Sequence, residues 1–199
     1  MSLKFPISLV GKRAAAVSGP PEYSGTCSVI DPTKSYVWDN TCTPILGSPI
    51  TGDIPPFLNN FGNFLTPRVY IGTGCSVIGN FSFFLGNIEW YQSELYISEG
   101  VTRIGDAAFQ VLIINTLNGD GVLNLPSTLT TINGYSNFGN CSGITRVNIW
   151  SLNPPTFEFD QTGQEIFKGT SITEVHVPAG GTWGAKWGSN DVYDVIADL

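Results

Sequence analysis

The sequence predicts a mostly β fold, a short parallel solenoid of about five coils at residues 67–199 behind a loop-rich N-terminal arm or cap at residues 1–66. Three observations support this prediction. Apolar and polar residues alternate in short stretches, the stretches recur every 24 to 28 residues, and turn-forming residues are abundant, with 23 glycines and 13 prolines. Such a recurrence is typical of proteins in which each unit stacks on the next.

The clearest unit occupies residues 94–109. Leu95 and Ile97 alternate with polar neighbours, which predicts a strand with one buried face. Gly100 and Gly105 mark turns, and Phe109 closes the unit as a buried aromatic residue. This pattern has too few apolar positions for a full helix and too many for a solvated loop.

Equivalent strands are predicted before and after this unit, at 70–71, 123–125, 147–149 and 175–177. Consecutive strands this far apart cannot be joined as hairpins, so we expect them to be parallel. Ile78-Gly79 and Phe83 repeat as Ile104-Gly105 and Phe109 at a shift of 26 residues.

The register predicts which side chains leave the core. If Leu95, Leu123, Val147 and Val175 point inward, their neighbours form an outward column, which consists of Tyr70, Tyr96, Asn124, Asn148 and His176. The preceding column places Arg68 opposite Glu94 and Arg146 opposite Glu174, and such charge pairs are mildly stabilising.

Residues 1–66 have no clear period, several helix-breaking prolines and seven aromatic residues. Because leaving so many aromatic side chains in water is unfavourable, we expect this arm to cover one end of the solenoid and to pack partly on another chain. The second contact predicts a homo-oligomer or docking to a particle. Residues 182–199 are expected to cap the other end, with a short helix at 193–197.

Cys27 and Cys42 lie in a loop-rich region and are candidates for a disulfide. Cys75 and Cys141 occupy small apolar positions of the repeats, where buried free thiols are expected. The sequence has no Cys-x-x-Cys pair and one histidine, so we predict no metal site of the usual Cys/His kind and no cofactor.

The net charge of −7 and the pI near 4.5 argue against a nucleic-acid partner, because phosphate binding needs clustered Lys and Arg. No apolar segment approaches the length of a membrane span. The apolar run at 5–10 is too short for a signal peptide, so we expect either that a leader was removed or that none is needed.

Two stretches resemble a known repeat motif: VTRIGDAAF at 101–109 and NCSGIT at 140–145. The chain from about residue 67 to 199 is similar to the BspA-like leucine-rich repeats of bacterial surface proteins, including Bacteroides-type members, whereas residues 1–66 do not match. The third unit shifts its Phe by one position and the fourth carries an insertion at 157–164. The resemblance implies a leucine-rich-repeat solenoid with a non-enzymatic surface role in adhesion or recognition.

The residues offer little for catalysis. His176 lies on a strand without a nucleophile-elbow motif, and the carboxylate pairs Glu158/Asp160 and Asp191/Asp194 are more typical of solvated faces. We therefore expect a protein that is not an enzyme.

The predicted ligand-binding residues lie on the sheet face, namely Tyr70, Tyr96, Asn124, Asn148, Trp150 and His176. Trp150 either stacks on a sugar ring or a protein partner, or is covered by a loop or a neighbouring subunit.

Two functions are predicted from these features. The first is an attachment protein, extracellular or on a cell surface, that binds a host protein or glycan through this face. The second is a structural virion component, such as a phage capsid or tail appendage, whose residues 1–66 dock to a capsid or tail protein. Family usage favours the first function, and the absence of a leader in the sequence favours the second.

Overall fold

A computed structural model describes the chain at Cys27, Thr43 and residues 30–38, 50–56, 68–83, 90–110, 112–116, 120–134, 136–157, 166–188 and 192–199. In these ranges the chain forms strands and turns and no helix. The strands are β1 (Tyr36–Trp38), β2 (Arg68–Ile71), β3 (Val77–Ile78), β4 (Trp90–Ile97), β5 (Arg103–Ile104), β6 (Leu112–Thr116), β7 (Val122–Leu125), β8 (Thr131–Ile132), β9 (Arg146–Ile149), β10 (Glu174–Val177), β11 (Lys186–Trp187) and β12 (Tyr193–Ala197). The mostly β solenoid is confirmed.

The five predicted strands are β2, β4, β7, β9 and β10, and they are long enough to bury one alternating set of side chains. β2 pairs in parallel with β4, β7 with β9, and β9 with β10. The register is the predicted one, since Tyr70 lies beside Tyr96, Asn124 beside Asn148, and Asn148 beside His176. The inward residues, such as Val147 and Val175, are fully buried.

The strands do not form one continuous sheet. One sheet has the order β1-β2-β4-β6 and the other β11-β12-β10-β9-β7. β6, which is not predicted from the sequence, pairs in parallel with the edge of β4 where β7 was expected, with Leu95 beside Thr116. The apolar run at 112–114 has no counterpart in neighbouring units, so a search for recurring positions passes over it.

A third, smaller sheet, β3-β5-β8, closes the coils on the opposite side. Single bridges extend it at both ends, from Ile54 to Ile78 and from Thr131 to Thr156. Within the described ranges, three units combine a long outer strand with a short closing strand, and the solenoid has about three turns instead of the predicted five. The terminal units contribute an outer strand without a full closing strand among the described residues.

Four phenylalanines form a continuous stack through the core. Ring centroids lie 5.2 Å apart between Phe83 and Phe109, 5.1 Å between Phe109 and Phe138, and 5.6 Å between Phe138 and Phe167. Tyr193 ends the stack with an edge-on contact to Phe167, and its hydroxyl accepts the Phe167 N–H at 2.9 Å. Offset stacking of this kind adds to the free energy of burial, so the aromatic position fixes the stacking of successive units.

Gly105 lies where two coils approach most closely. A Cβ at this position would be 2.5 Å from the backbone N of Asn80 and 2.5 Å from the carbonyl carbon of Gly79. Backbone atoms of a neighbouring coil cannot move aside as a flexible side chain can, so the repeated Ile-Gly pair reflects packing between coils.

Replacing Gly105 with alanine should therefore destabilise the protein by about 1–3 kcal/mol, as overpacking of a core does. Urea unfolding would measure the loss. Gly184→Ala is the matched control, because its Cβ would meet only the Lys186 carbonyl oxygen at 3.6 Å and should change stability by less than about 0.5 kcal/mol. Equal unfolding midpoints for the two variants would contradict the close approach.

The described part of residues 1–66 packs on the first unit. β1 pairs antiparallel with β2, which places Tyr36 beside Tyr70. Asp53 caps the first closing strand, since its carboxylate accepts the Val77 N–H at 2.9 Å and the Ser76 N–H at 3.0 Å. These hydrogen bonds, that of Val77 first, lower the pKa of Asp53. This part of the arm thus acts as an N-terminal cap.

The C-terminal segment does not contain the predicted helix. Residues 193–197 form β12, which pairs in parallel with β10 and antiparallel with β11. Tyr193 is buried and Val195 packs on the core, an alternation that suits a strand next to the unpaired edge of β10. A helix would have left this edge open, whereas β12 covers it.

Cys75 and Cys141 are buried free thiols, as predicted. Cys27 is disulfide-bonded. Cys42, the predicted partner, lies outside the described residues, so the pairing stays a prediction. Burial, together with the charge of Asp53, raises the pKa of Cys75 to about 11.

Both free thiols should resist iodoacetamide in the native protein at about pH 8, because a buried, protonated thiol is a poor nucleophile. Unfolding in guanidinium should expose Cys75 and Cys141 to labelling, which peptide mass spectrometry would locate. Rapid modification of Cys75 in the native protein would contradict its burial in the first unit.

Candidate functional site

The structure divides the six predicted ligand-binding residues between the two outer sheets. Tyr70 and Tyr96 lie on β2 and β4, whereas Asn124, Asn148 and His176 lie on β7, β9 and β10. Trp150 directly follows β9. The outward column is thus present, but its two halves have different surroundings.

In the first half, Tyr70 is buried and Tyr96 is half-buried. Tyr70 stacks on Tyr96 with centroids 5.0 Å apart, and it also contacts Tyr36 and Trp38 of β1. Only 4% of Tyr70 is exposed. The expectation that Tyr70 offers a free surface is therefore wrong, because the antiparallel pairing of β1 places two more aromatic side chains on the same face.

The second half carries a connected polar network, which begins at Asn124. The Oδ1 atom of Asn124 accepts hydrogen bonds from the Trp150 indole N–H at 3.0 Å and from the Asn148 amide at 3.1 Å. Asn148 is buried, whereas Trp150 is half-buried. The amide of Asn124 therefore fixes the edge of the indole ring relative to the sheet.

The network continues from Asn148 to Arg146. The Nε–H of Arg146 donates to Oδ1 of Asn148 at 2.9 Å, and one of its terminal nitrogens lies 3.4 Å from both carboxylate oxygens of Asp198. The amide group of Asn148 thus has partners for both its donor and its acceptor. A buried amide that is satisfied in this way holds its neighbours in one geometry.

His176 lies between two carboxylates at the other end of the network. Its Nδ1 is 2.9 Å from Oδ1 of Asp198, and its Nε2 is 3.3 Å from Oε1 of Glu174. The imidazole is buried, but the two carboxylates are about half exposed. Both ring nitrogens therefore position acidic groups at the surface.

The role of Asp198 and its ion pair with Arg146 were not predicted from the sequence. The register sets Arg146 opposite Glu174, as predicted, but the ion pair of Arg146 is with Asp198, and Glu174 lies beside His176. Asp198 directly follows β12, which the sequence predicts as a helix. A helix at 193–197 gives no reason to place Asp198 beside Arg146. The alternation of apolar Tyr193 and Val195 with polar Asp194 could have indicated a strand there instead of a helix.

An open cleft of about 340 Å³ lies at one end of this face. Its lining is Thr145, Arg146, Ser171, Ile172, Thr173, Glu174 and His176. The cleft therefore offers hydroxyl groups, one guanidinium and one exposed carboxylate, with little apolar surface.

The surroundings of His176 bear on catalysis by this residue. Both described contacts of His176 go to carboxylates, so no hydroxyl nucleophile is hydrogen-bonded to it in the described ranges. In the same ranges no group of three or more His, Cys, Asp or Glu side chains is placed to hold a metal ion. The carboxylate pairs Glu158/Asp160 and Asp191/Asp194 each include residues outside the described part of the chain.

Nor does any helix in the described ranges have the length and apolar character to cross a membrane. Comparisons of the chain with protein-family models, with curated proteins and with solved structures find no match.

Proposed function

We propose that this chain is a non-enzymatic attachment or recognition protein, which binds a host protein or glycan through the outer face of β7, β9 and β10. One observation carries the proposal. Three polar side chains in the network, Asn124, Asn148 and His176, hold four partly exposed ones in fixed positions, and the exposed ones are Trp150, Arg146, Asp198 and Glu174. We name these four residues the presented set.

Side chains that are already held in one position lose little conformational entropy when a ligand binds, so the free-energy cost of binding is smaller. A surface that served only solubility would not need Asn124 to orient an indole, nor two carboxylates to be held by a buried imidazole. Trp and Arg are also the residues most enriched among those that dominate binding energy at interfaces.

The resemblance to BspA-like leucine-rich repeats supports the same class of function, an extracellular or cell-surface protein of adhesion. The burial of Tyr70 and the stacking of Tyr96 on it favour placing the ligand on the second half. The arm, residues 1–66, is proposed to contact a further chain in a homo-oligomer, through parts beyond those that cap the first unit.

The alternative is a structural virion component, such as a phage capsid or tail appendage, that docks to the particle through residues 1–66. The described part of the arm pairs with the solenoid, which leaves fewer of its residues to dock to a particle.

The test is a binding screen of the purified full chain against printed glycans and extracellular-matrix proteins. The best ligand should lose affinity by roughly tenfold or more with Arg146→Ala, because this side chain joins Asn148 to Asp198. Arg103→Ala, the same change on β5 of the small sheet, is the matched control and should bind as the wild type does.

Two results would contradict the proposal. One is the absence of any ligand in both classes, which would favour the virion alternative. The other is an equal loss of affinity in the Arg146 and Arg103 variants, with melting curves unchanged, which would move the binding surface away from this face.

A further inference from the structure

We infer that the ligand of the presented set is an uncharged glycan, bound as a segment of more than one sugar from Trp150 to Glu174. This inference rests on the proposed function and narrows it to one chemical class. It follows from the charge, the hydrogen-bonding groups and the length of the face.

Charge excludes an acidic ligand. The presented set contains two carboxylates, Asp198 and Glu174, and one guanidinium. That guanidinium is already paired with Asp198, 3.4 Å away, so the two carboxylates and one guanidinium leave the presented set with a net negative charge. With a net charge of −7 for the chain, a sialylated or sulfated glycan would be repelled both locally and at longer range.

A basic peptide fits less well than an uncharged ligand. Asp198 is engaged by both Arg146 and His176, which leaves Glu174 as the carboxylate with more exposure. A Lys or Arg side chain placed there would approach the Arg146 guanidinium, and like charges at close range are unfavourable.

Sugar hydroxyls match the groups that remain. A hydroxyl both donates and accepts, so neighbouring hydroxyls can donate to the Glu174 carboxylate and accept from the Arg146 guanidinium, which carries five N–H donors. The cleft adds hydroxyl groups from Thr145, Ser171 and Thr173. Hydrogen bonds to charged groups are stronger than neutral ones, which gives an uncharged ligand useful affinity.

Trp150 supplies the apolar contact that a pyranose ring needs. Its indole is half-buried, with its N–H bonded to Asn124, and an aromatic body of this kind packs well against the C–H face of a sugar. Trp150 and Arg146 are four residues apart along an extended chain, which places them about 13 Å apart. This span is longer than one pyranose ring, so the face fits a short oligosaccharide segment.

The experiment measures binding of the full chain to three sets of probes at about 0.15 M salt. The first set is neutral polysaccharides (mannan, galactan and β-glucan), the second is anionic glycans (heparin and polysialic acid), and the third is matrix proteins. Binding should be confined to the first set and change little when the salt concentration is raised.

Trp150→Ala should weaken that binding roughly tenfold or more, and Trp150→Phe should lose less, because it keeps a ring but not the bond to Asn124. Trp183→Ala is the matched control. Trp183 is also half-buried with its indole N–H bonded, to the Ser151 carbonyl oxygen, but its ring packs against Trp187. Near-ultraviolet circular dichroism would verify the fold of each variant.

Salt-sensitive binding to the anionic set, or binding to matrix proteins alone, would overturn this inference and leave the recognition function standing. Neutral-glycan binding that Trp183→Ala weakens as much as Trp150→Ala would overturn the assignment to this face. A failure to bind any of the three sets would overturn the recognition function itself.

Discussion

Replacing Ile104 with aspartate should leave no folded protein. Ile104 is fully buried on β5, between Ile78 of β3 and Ile132 of β8 in the small sheet. A carboxylate there would lie between stacked coils without a partner, at a cost of several kcal/mol, which is comparable to the whole stability of many domains. Circular dichroism and size-exclusion chromatography would detect the loss of structure.

Leu152→Asp is the matched control, because it introduces the same charge at an apolar residue that is 52% exposed. Its melting temperature should stay close to that of the wild type. A soluble Ile104→Asp variant with an unchanged melting curve would show that the inward register of the closing strands is wrong.

Truncation of the phenylalanine stack should have the next largest effect. Phe109 is fully buried and contacts Phe83 on one side and Phe138 on the other, with centroids 5.2 Å and 5.1 Å away. Phe109→Ala should cost about 3–5 kcal/mol from lost burial and the cavity left behind. For a chain of this size that corresponds to a fall in melting temperature of roughly 6–20 °C.

Phe109→Leu separates the ring contacts from the loss of volume, since leucine fills part of the cavity but cannot stack. It should be clearly less destabilised than the alanine variant. If alanine and leucine at this position melted at the wild-type temperature, the stack would contribute nothing to holding the units together.

The sequence contains most of the information on how the units stack. A two-residue alternation defines which side chains enter the apolar core. A one-residue slip would turn Val147 out of that core and turn the amide of Asn148 into it, so one register is strongly favoured. This is why the outward column, the parallel pairing and the buried phenylalanines could be predicted.

Elements that occur once were missed. β6 does not recur, and β12 lies after the repeats end, so neither could be recognised by comparing units. The predicted number of turns is also too high, because the outer strands alone do not reveal whether each unit has a closing strand opposite it.

The candidate site was predicted in position but not in accessibility. Asn124, Asn148, Trp150 and His176 lie together, as their register requires. The burial of Tyr70 depends on β1, which is more than thirty positions away in the chain, and the acidic partner of Arg146 comes from Asp198. Contacts between segments that share no period are set by tertiary packing, which single-sequence patterns do not encode.

The break between the two outer sheets has a mechanical consequence. Among the described residues no strand pairing joins β4 to β7, so on the outer side the second and third units lack the backbone ladder that links other neighbouring units. A force applied along the stacking axis is carried there by the pairing of β5 with β8, the contact of Phe109 with Phe138, and the hydrogen bonds of Glu99 to Ser127. The two halves of the outer surface can therefore shift relative to each other only by straining these contacts, and the aromatic face and the polar face lie on opposite sides of that joint.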